Sequence, residues 1–482
     1  MSTRLRLGWA QRDITPDRPV ALRGQFNLRL ATRALDPLTL TVLVLDGEDQ
    51  ATFVALDSCY PDDGVIAGTR AALAGRLPGF DPERLIFCAT HTHTAPFAGD
   101  PGLQSDGEYD DLIRERYPDY MTGAEYGELV TERVIDAVTE AWTQRAPGSV
   151  AWAIASAVVG HNRRVRYLDN HAQMYGSTAQ PDFSHIEGHV DHDLQLLYTY
   201  DEAGALNGVL VNIACPSQAS EGIQDAVSAD FWHDIREELR GRFGAGLPVL
   251  SQCSAAGDLS PHRLLHNRAE LRMLALRYGE DGLGRPVNLP LRRELGRRVA
   301  EACCEAEAVV RADRREAPTL AHRHCVLAMP HWDLSAAEYD SLQAEIAEHE
   351  RQLAALAEED PLSDRVTSQR GMLGWCRRAA ERYHHPLTDQ TANVHVLRLG
   401  DVAFVTAPFE YYLDFGDRIK GRSAAIQTFV VQITEGGPYL ATERAAAGLS
   451  YGAVPASCSV APAGGQMLVD AAVGMIAELF RE

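Results

Sequence analysis

The sequence predicts an α/β protein (mixed α+β), with a layered β-sheet core and flanking helices. Three observations carry this. Short apolar runs rich in Val, Leu and Phe alternate with amphipathic stretches up to Pro261. A 45% apolar share of 482 residues is enough to bury a large core. Polar residues capable of chemistry stand at the ends of the apolar runs, where sites in layered α/β folds gather.

In chain order, residues 39–45 (TLTVLVL), 51–56 and 85–88 read as central strands. Thr122 and Glu125 form a capping box, and Leu129, Val130, Val134, Val138, Ala141 and Trp142 continue a helical stripe towards Pro147. Segments 194–200 and 208–213 flank the turn Asp201-Glu202-Ala203-Gly204 and read as a hairpin. A helix follows over Phe231–Phe243, with Trp232, Ile235, Leu239 and Phe243 on one face, and another over 293–310, where Cys303-Cys304 reads as core packing. Two segments look inserted into a single domain spanning 1–482. Residues 100–121 are acidic and follow a histidine pair, the place for a lid loop. Residues 335–385 read as an inserted helical hairpin: Ser335 and Glu338 cap the first helix, and Asp360-Pro361 ends it. Laid on the body, such a hairpin would serve homo-oligomerisation. From Val394 the chain returns to strands (VHVLRL, VAFVTA, TFVVQIT).

A formal charge of -22 disfavours nucleic acid and anionic membrane as partners. No apolar run is long enough for a membrane span, and the first residues lack the apolar core of a signal peptide. The nine cysteines are dispersed without a CxxC pair, which predicts reduced thiols and a cytoplasmic location. There is no P-loop, no GxGxxG after a strand, no GxSxG and no HExxH.

The chemistry concentrates first in Ala89-Thr90-His91-Thr92-His93-Thr94-Ala95-Pro96, after the strand 85–88. Histidines at i and i+2 leave a strand end on the same side, a pattern suited to a metal ion, or to one ligand beside one proton-transfer base. Asp57, Asn162-Arg163, Asp230, Gly257-Asp258 and Glu410 also follow or flank apolar runs, and Cys253 reads as a buried thiol.

Taken together these segments resemble the catalytic domain of the neutral, non-lysosomal ceramidase family. The resemblance rests on Arg12-Asp13-Ile14-Thr15-Pro16 (family "DITP"), residues 89–96 ("ATHTHSGP"), Asn162-Arg163 ("NRS"), residues 252–261 ("QSNxGDVSPN"), Pro408-Phe409-Glu410 ("PxE") and residues 436–451. It implies one zinc ion (Zn2+) held by two histidines, a glutamate and a tyrosine. His91, Glu410 and Tyr439 match three of these, and His93 matches the proton-transfer residue. Arg163 and Tyr451 match the oxyanion-side pair. The register puts Pro216 where the remaining histidine belongs, and a proline side chain cannot bind zinc. Cys215 next door is a substitute ligand, with His189, His192 and His233 as further candidates. Asp57 and Asp230 are placed to orient a histidine. The resemblance is to the catalytic domain, and the additional C-terminal β-sandwich of the family is not expected in the thirty or so residues after Tyr451.

The resulting expectation is a metal-dependent hydrolase of an amide or ester bond in a soluble, polar small molecule. Two other readings stay open: a lyase or isomerase acting on a sugar or cyclitol derivative through His93 and His189 or His192, and a binding protein on a degenerate enzyme fold.

Overall fold

The computed structural model describes residues 3–99, 108–285, 287–388 and 390–481. An eight-stranded sheet is built from β1 (Arg6–Asp13), β2 (Thr39–Asp46), β3 (Gln50–Leu56), β4 (Leu85–Ala89), β5 (Ala146–Ser156), β6 (Asp193–Asp201), β7 (Leu206–Ile213) and β8 (Val249–Cys253), in the order β8-β7-β6-β5-β1-β2-β3-β4. A four-stranded sheet follows the order β9 (Leu320–Ala328), β10 (Thr391–Leu399), β11 (Val402–Ala407), β12 (Gln427–Gln432).

Alternation along the strands sets the layers. In β3, Val54 and Leu56 point to helices, whereas Phe53 and Ala55 point to the second sheet. In β11, Phe404 faces the large sheet while Ala403 and Val405 face away from it. Phe53, Phe404 and Phe429 fill the seam with ring centroids 5.2 and 4.2 Å apart, contacts worth about 1 kcal/mol each beyond the area they bury.

On the outer face of the large sheet lie α1 (Asp63–Leu73), α2 (Gly123–Gln144), α3 (Phe231–Phe243) and α4 (Leu289–Val310). The capping box of α2 is made as the sequence predicts. A further pair, α5 (Ala336–Ala355) and α6 (Asp364–His384), pack on each other. The small sheet is covered by α7 (Leu413–Arg422) and α8 (Pro462–Leu479). The order is therefore helices, sheet, sheet, helices.

Each sheet is mostly antiparallel, but three neighbouring pairs are parallel: β3 with β4, β7 with β8, and β11 with β12. Their carboxyl ends lead into residues 57–60 and 90–93, residues 214–218 and 254–258, and residues 408–410 and 433–439. These are the segments that carry the site.

Part of the expected lid segment, residues 100–107, lies outside the described residues. The remainder holds a helix, Glu108–Arg116, whose Tyr109 and Ile113 pack with Tyr120 and Leu362. All nine cysteines are free thiols. Among the described residues no helix is long and apolar enough to cross a membrane.

Candidate active site

Beyond β4 the Thr-His-Thr-His-Thr run alternates its side chains. Thr92 and Thr94 both donate to the Ser228 carbonyl at 2.9 Å, which leaves His91 and His93 turned together, ring centroids 4.9 Å apart. His91 has φ 59°, a left-handed conformation that a histidine adopts only at a cost. Its Nδ1 donates to the Cys59 carbonyl at 2.7 Å, so Nε2 carries the lone pair or a second proton and lies 3.4 Å from Glu410 Oε2.

Glu410 and Tyr439 are register partners in a short parallel bridge, which explains how residues far apart in sequence share one site. Tyr60 donates its hydroxyl to Glu410 Oε1, and the Arg163 guanidinium lies 3.8 Å from Oε2. Arg163 also donates to the Gly257 carbonyl at 2.9 Å, to the Tyr439 hydroxyl at 3.2 Å and to Gln218 Oε1 at 3.2 Å.

The charges in this buried group hold one another. Burial works against a charge on His91, but Glu410 overrides it and pushes the imidazole up to about 10. Burial likewise opposes the Glu410 carboxylate, and His91 and Arg163 hold it below the usual carboxylate range. His93 is driven well below its ordinary value by burial, with His91, Arg29 and Arg163 adding to the effect, so it is neutral at pH 7. Burial raises Tyr439 well above 10, helped by Glu410.

His93 is gripped on both edges. Arginine has no acceptor atom, so the oxygen of the Gln218 amide faces Arg163 and its nitrogen faces His93 Nε2, 2.9 Å away. The basic lone pair of His93 is therefore on Nε2. On the other edge, Nδ1 lies 3.7 Å from Glu221 Oε2. Above the ring, Gly24 (φ +108°) approaches so closely that a Cβ there would sit 2.5 Å from His93 Cγ. Arg29 is 1% exposed and ties these parts together, donating to the carbonyls of Arg23, His93, Glu221 and Ile223.

Among the described residues, Cys59, His91 and His93 bring one ligand atom each to within 4.8 Å of one another. A second set shares the His91 ring: Nε2 lies 3.4 Å from Glu410, which is hydrogen-bonded to the Tyr439 hydroxyl, while the Cys59 thiol lies 3.8 Å from Nδ1. The second set is the better fit for a cation, because Nδ1 of His91 is committed to a carbonyl and Nε2 of His93 to Gln218. Nitrogen, carboxylate and phenolic oxygen, with a thiol beside them, suit a borderline metal such as zinc. A metal ion would be bound in exchange for the proton that His91 otherwise holds.

No family model and no curated relative matches the sequence. Among solved structures, the crystal structure of neutral ceramidase from Pseudomonas aeruginosa superimposes with a TM-score of 0.66 at 16% identity, over 99% of this chain and 75% of that one. A ceramidase complexed with C2 gives 0.67 at 16% identity, over 99% and 76%. The chain has the neutral ceramidase fold.

Within that ceramidase fold, His91, His93, Arg163, Glu410 and Tyr439 come together as a single cluster. Tyr451 stands at its rim, 39% exposed, with its ring 5.8 Å from that of Tyr439. Other expected residues go elsewhere. Cys215 packs in the core under α3 with its thiol 3.5 Å from the Pro216 carbonyl, and burial pushes its pKa well up. Asp57 orients no histidine: it forms a two-pronged ion pair with Arg236 of α3 at 2.6 and 2.8 Å. Losing either partner of such a buried pair costs about 3–5 kcal/mol. Asp230 caps α3 and accepts from the backbone of Ala219 and Ser220, so it shapes the loop carrying Gln218. Asn162 bonds Asp258. His189 meets Asp414 and Asp417 of α7, His192 lies beside His161, and His233 sits in the first turn of α3.

Sequence reasoning missed Cys59, Tyr60, Gln218, Glu221, Arg29 and Gly24. One signal was available for the first two. They follow β3, the parallel neighbour of the strand whose end carries His91, and parallel neighbours deliver their carboxyl ends to one place.

Proposed function

We propose that this chain is a metal-dependent hydrolase that cleaves an amide or ester bond in a small molecule. The observation that carries the proposal is the convergence of His91, Glu410, Tyr439, Arg163 and a neutral His93 from facing strand ends, within a fold shared with neutral ceramidase. His91, Glu410 and Tyr439 would hold the metal, with the Cys59 thiol beside them in place of the histidine replaced by Pro216. Zinc bound there supplies a Lewis acid and a water of lowered pKa.

The chain's own residues do the rest. His93 takes a proton at Nε2 from the attacking water, swinging free of Gln218, and returns it to the leaving amine or alcohol. Burial and its cationic neighbours keep this imidazole unprotonated before the step. Arg163 is held charged against burial by Tyr439, Tyr175 and Glu410, and with Tyr451 it offers donors to a developing oxyanion.

The test is elemental analysis of protein purified without added metal or a histidine tag, followed by hydrolysis in oxygen-18 water. Near-stoichiometric zinc with label entering the product supports the reading. Metal-free active protein, or product without label, overturns it in favour of a histidine-driven lyase or isomerase.

A further inference from the structure

Next to the site, beyond Tyr439, three aromatic rings from three separate parts of the chain pack on one another. Phe26 belongs to the loop that carries Gly24 over His93, Trp375 to α6, and Tyr451 to the segment beyond Tyr439. Their centroids lie 6.4 Å (Phe26–Trp375), 6.2 Å (Phe26–Tyr451) and 5.9 Å (Trp375–Tyr451) apart. None of the three is fully buried, and Tyr451 continues inward to Tyr439. The ring wall thus runs unbroken from the surface to the hydroxyl that Arg163 holds.

The helix pair gives this wall its position. Thr367 Oγ1 of α6 accepts from the backbone of Leu28 at 3.1 Å, and Gly371 lies so close to the Phe26 carbonyl that a Cβ would come within 2.2 Å. The segment expected to serve oligomerisation is thereby a wall of the site.

We propose that Phe26, Trp375 and Tyr451 form the subsite for an aromatic ring carried by the substrate, next to the bond cleaved. This rests on the hydrolase reading above and names the class of its substrate: aryl-substituted amides or esters. The three rings stand 54–77° to one another, so the wall presents both faces and edges. A planar ring gains edge-to-face contacts from such a surface, whereas a flexible chain gains only buried area.

The test compares the N-acetyl and N-phenylacetyl amides of one amine on the wild type, Trp375→Ala and Trp375→Phe, each checked for an unchanged melting curve. Trp375→Ala should raise KM about tenfold for the phenylacetyl amide, a loss of about 1.4 kcal/mol, and leave kcat and the acetyl amide within about twofold. Trp375→Phe should recover most of the loss. An equal effect on both amides, or none, overturns the proposal. If neither amide is cleaved by the wild type, the hydrolase reading is decided by the metal and oxygen-18 experiment above. The subsite is then judged by titrating N-benzylacetamide against tryptophan emission: a saturable change lost in Trp375→Phe supports it, and no saturable change overturns it.

Discussion

The side-chain amide nitrogen of Gln218 lies 2.9 Å from Nε2 of His93. Its oxygen is committed to Arg163, so the contact fixes which imidazole nitrogen is basic. In Gln218→Glu an acceptor faces Nε2 and draws the proton there. The expected result is a fall in kcat of about 100-fold, the scale of losing a positioned base, with KM nearly unchanged. Nitrogen-15 shifts of the His93 ring should report the tautomer change. An unaltered kcat would mean that Gln218 only packs.

Gly24→Ala should damage the same imidazole without touching a polar group. The position has φ +108° and its Cβ would overlap His93 Cγ and Cδ2. A stability loss of about 1–3 kcal/mol and displacement of the ring are expected. Activity should drop at least tenfold while bound metal is retained, checked by thermal melting, kinetics and elemental analysis on one preparation.

Removing ligands separates metal binding from proton transfer. His91→Ala and Glu410→Ala should lose metal and activity together, and His93→Ala should keep metal and lose rate. Cys59→Ser should weaken metal affinity, seen as faster loss to a chelator. Full metal occupancy in His91→Ala would refute the ligand assignment.

Acid should destabilise the fold through buried neutral histidines. His262 donates Nε2–H to the Gln218 carbonyl at 2.9 Å, and burial, with Arg285 next, lowers it to about 3. Burial brings His322 to about 4. Because the unfolded chain protonates these groups near pH 6.5, their contribution is complete above that pH and shrinks as pH falls from 6.5 towards 3. Melting temperatures should decline over this window, and His262→Gln should flatten the decline. A slope unchanged in that variant would assign the effect to other groups.

Periodicity was enough to place β2, β3, β4, the β6–β7 hairpin and α3, because each buries a face that its own residues define. The histidine pair was legible for the same local reason. Glu410 and Tyr439 needed the family resemblance, since nothing local tells that two strands of a second sheet end opposite His91. Asp57 misled because a carboxylate after a strand reads the same whether it meets a histidine or Arg236. Gln218 and Gly24 were out of reach: an amide's partners and a glycine's neighbours are set by packing between distant segments. Arg29, with four carbonyls around it, owes its role wholly to that packing.

His91 hangs from one sheet and Glu410 from the sheet facing it. Whatever occupies the gap between them is a rivet through two layers that otherwise hold by an apolar seam and a few hydrogen bonds, such as those from Asn212 to the Val430 carbonyl and from Gln427 to the Ala153 carbonyl. Its binding energy therefore enters the cohesion of the sandwich. Backbone amides in Val402–Ala407 and Leu85–Ala89 should then exchange with solvent more slowly, and in step, once the gap is filled.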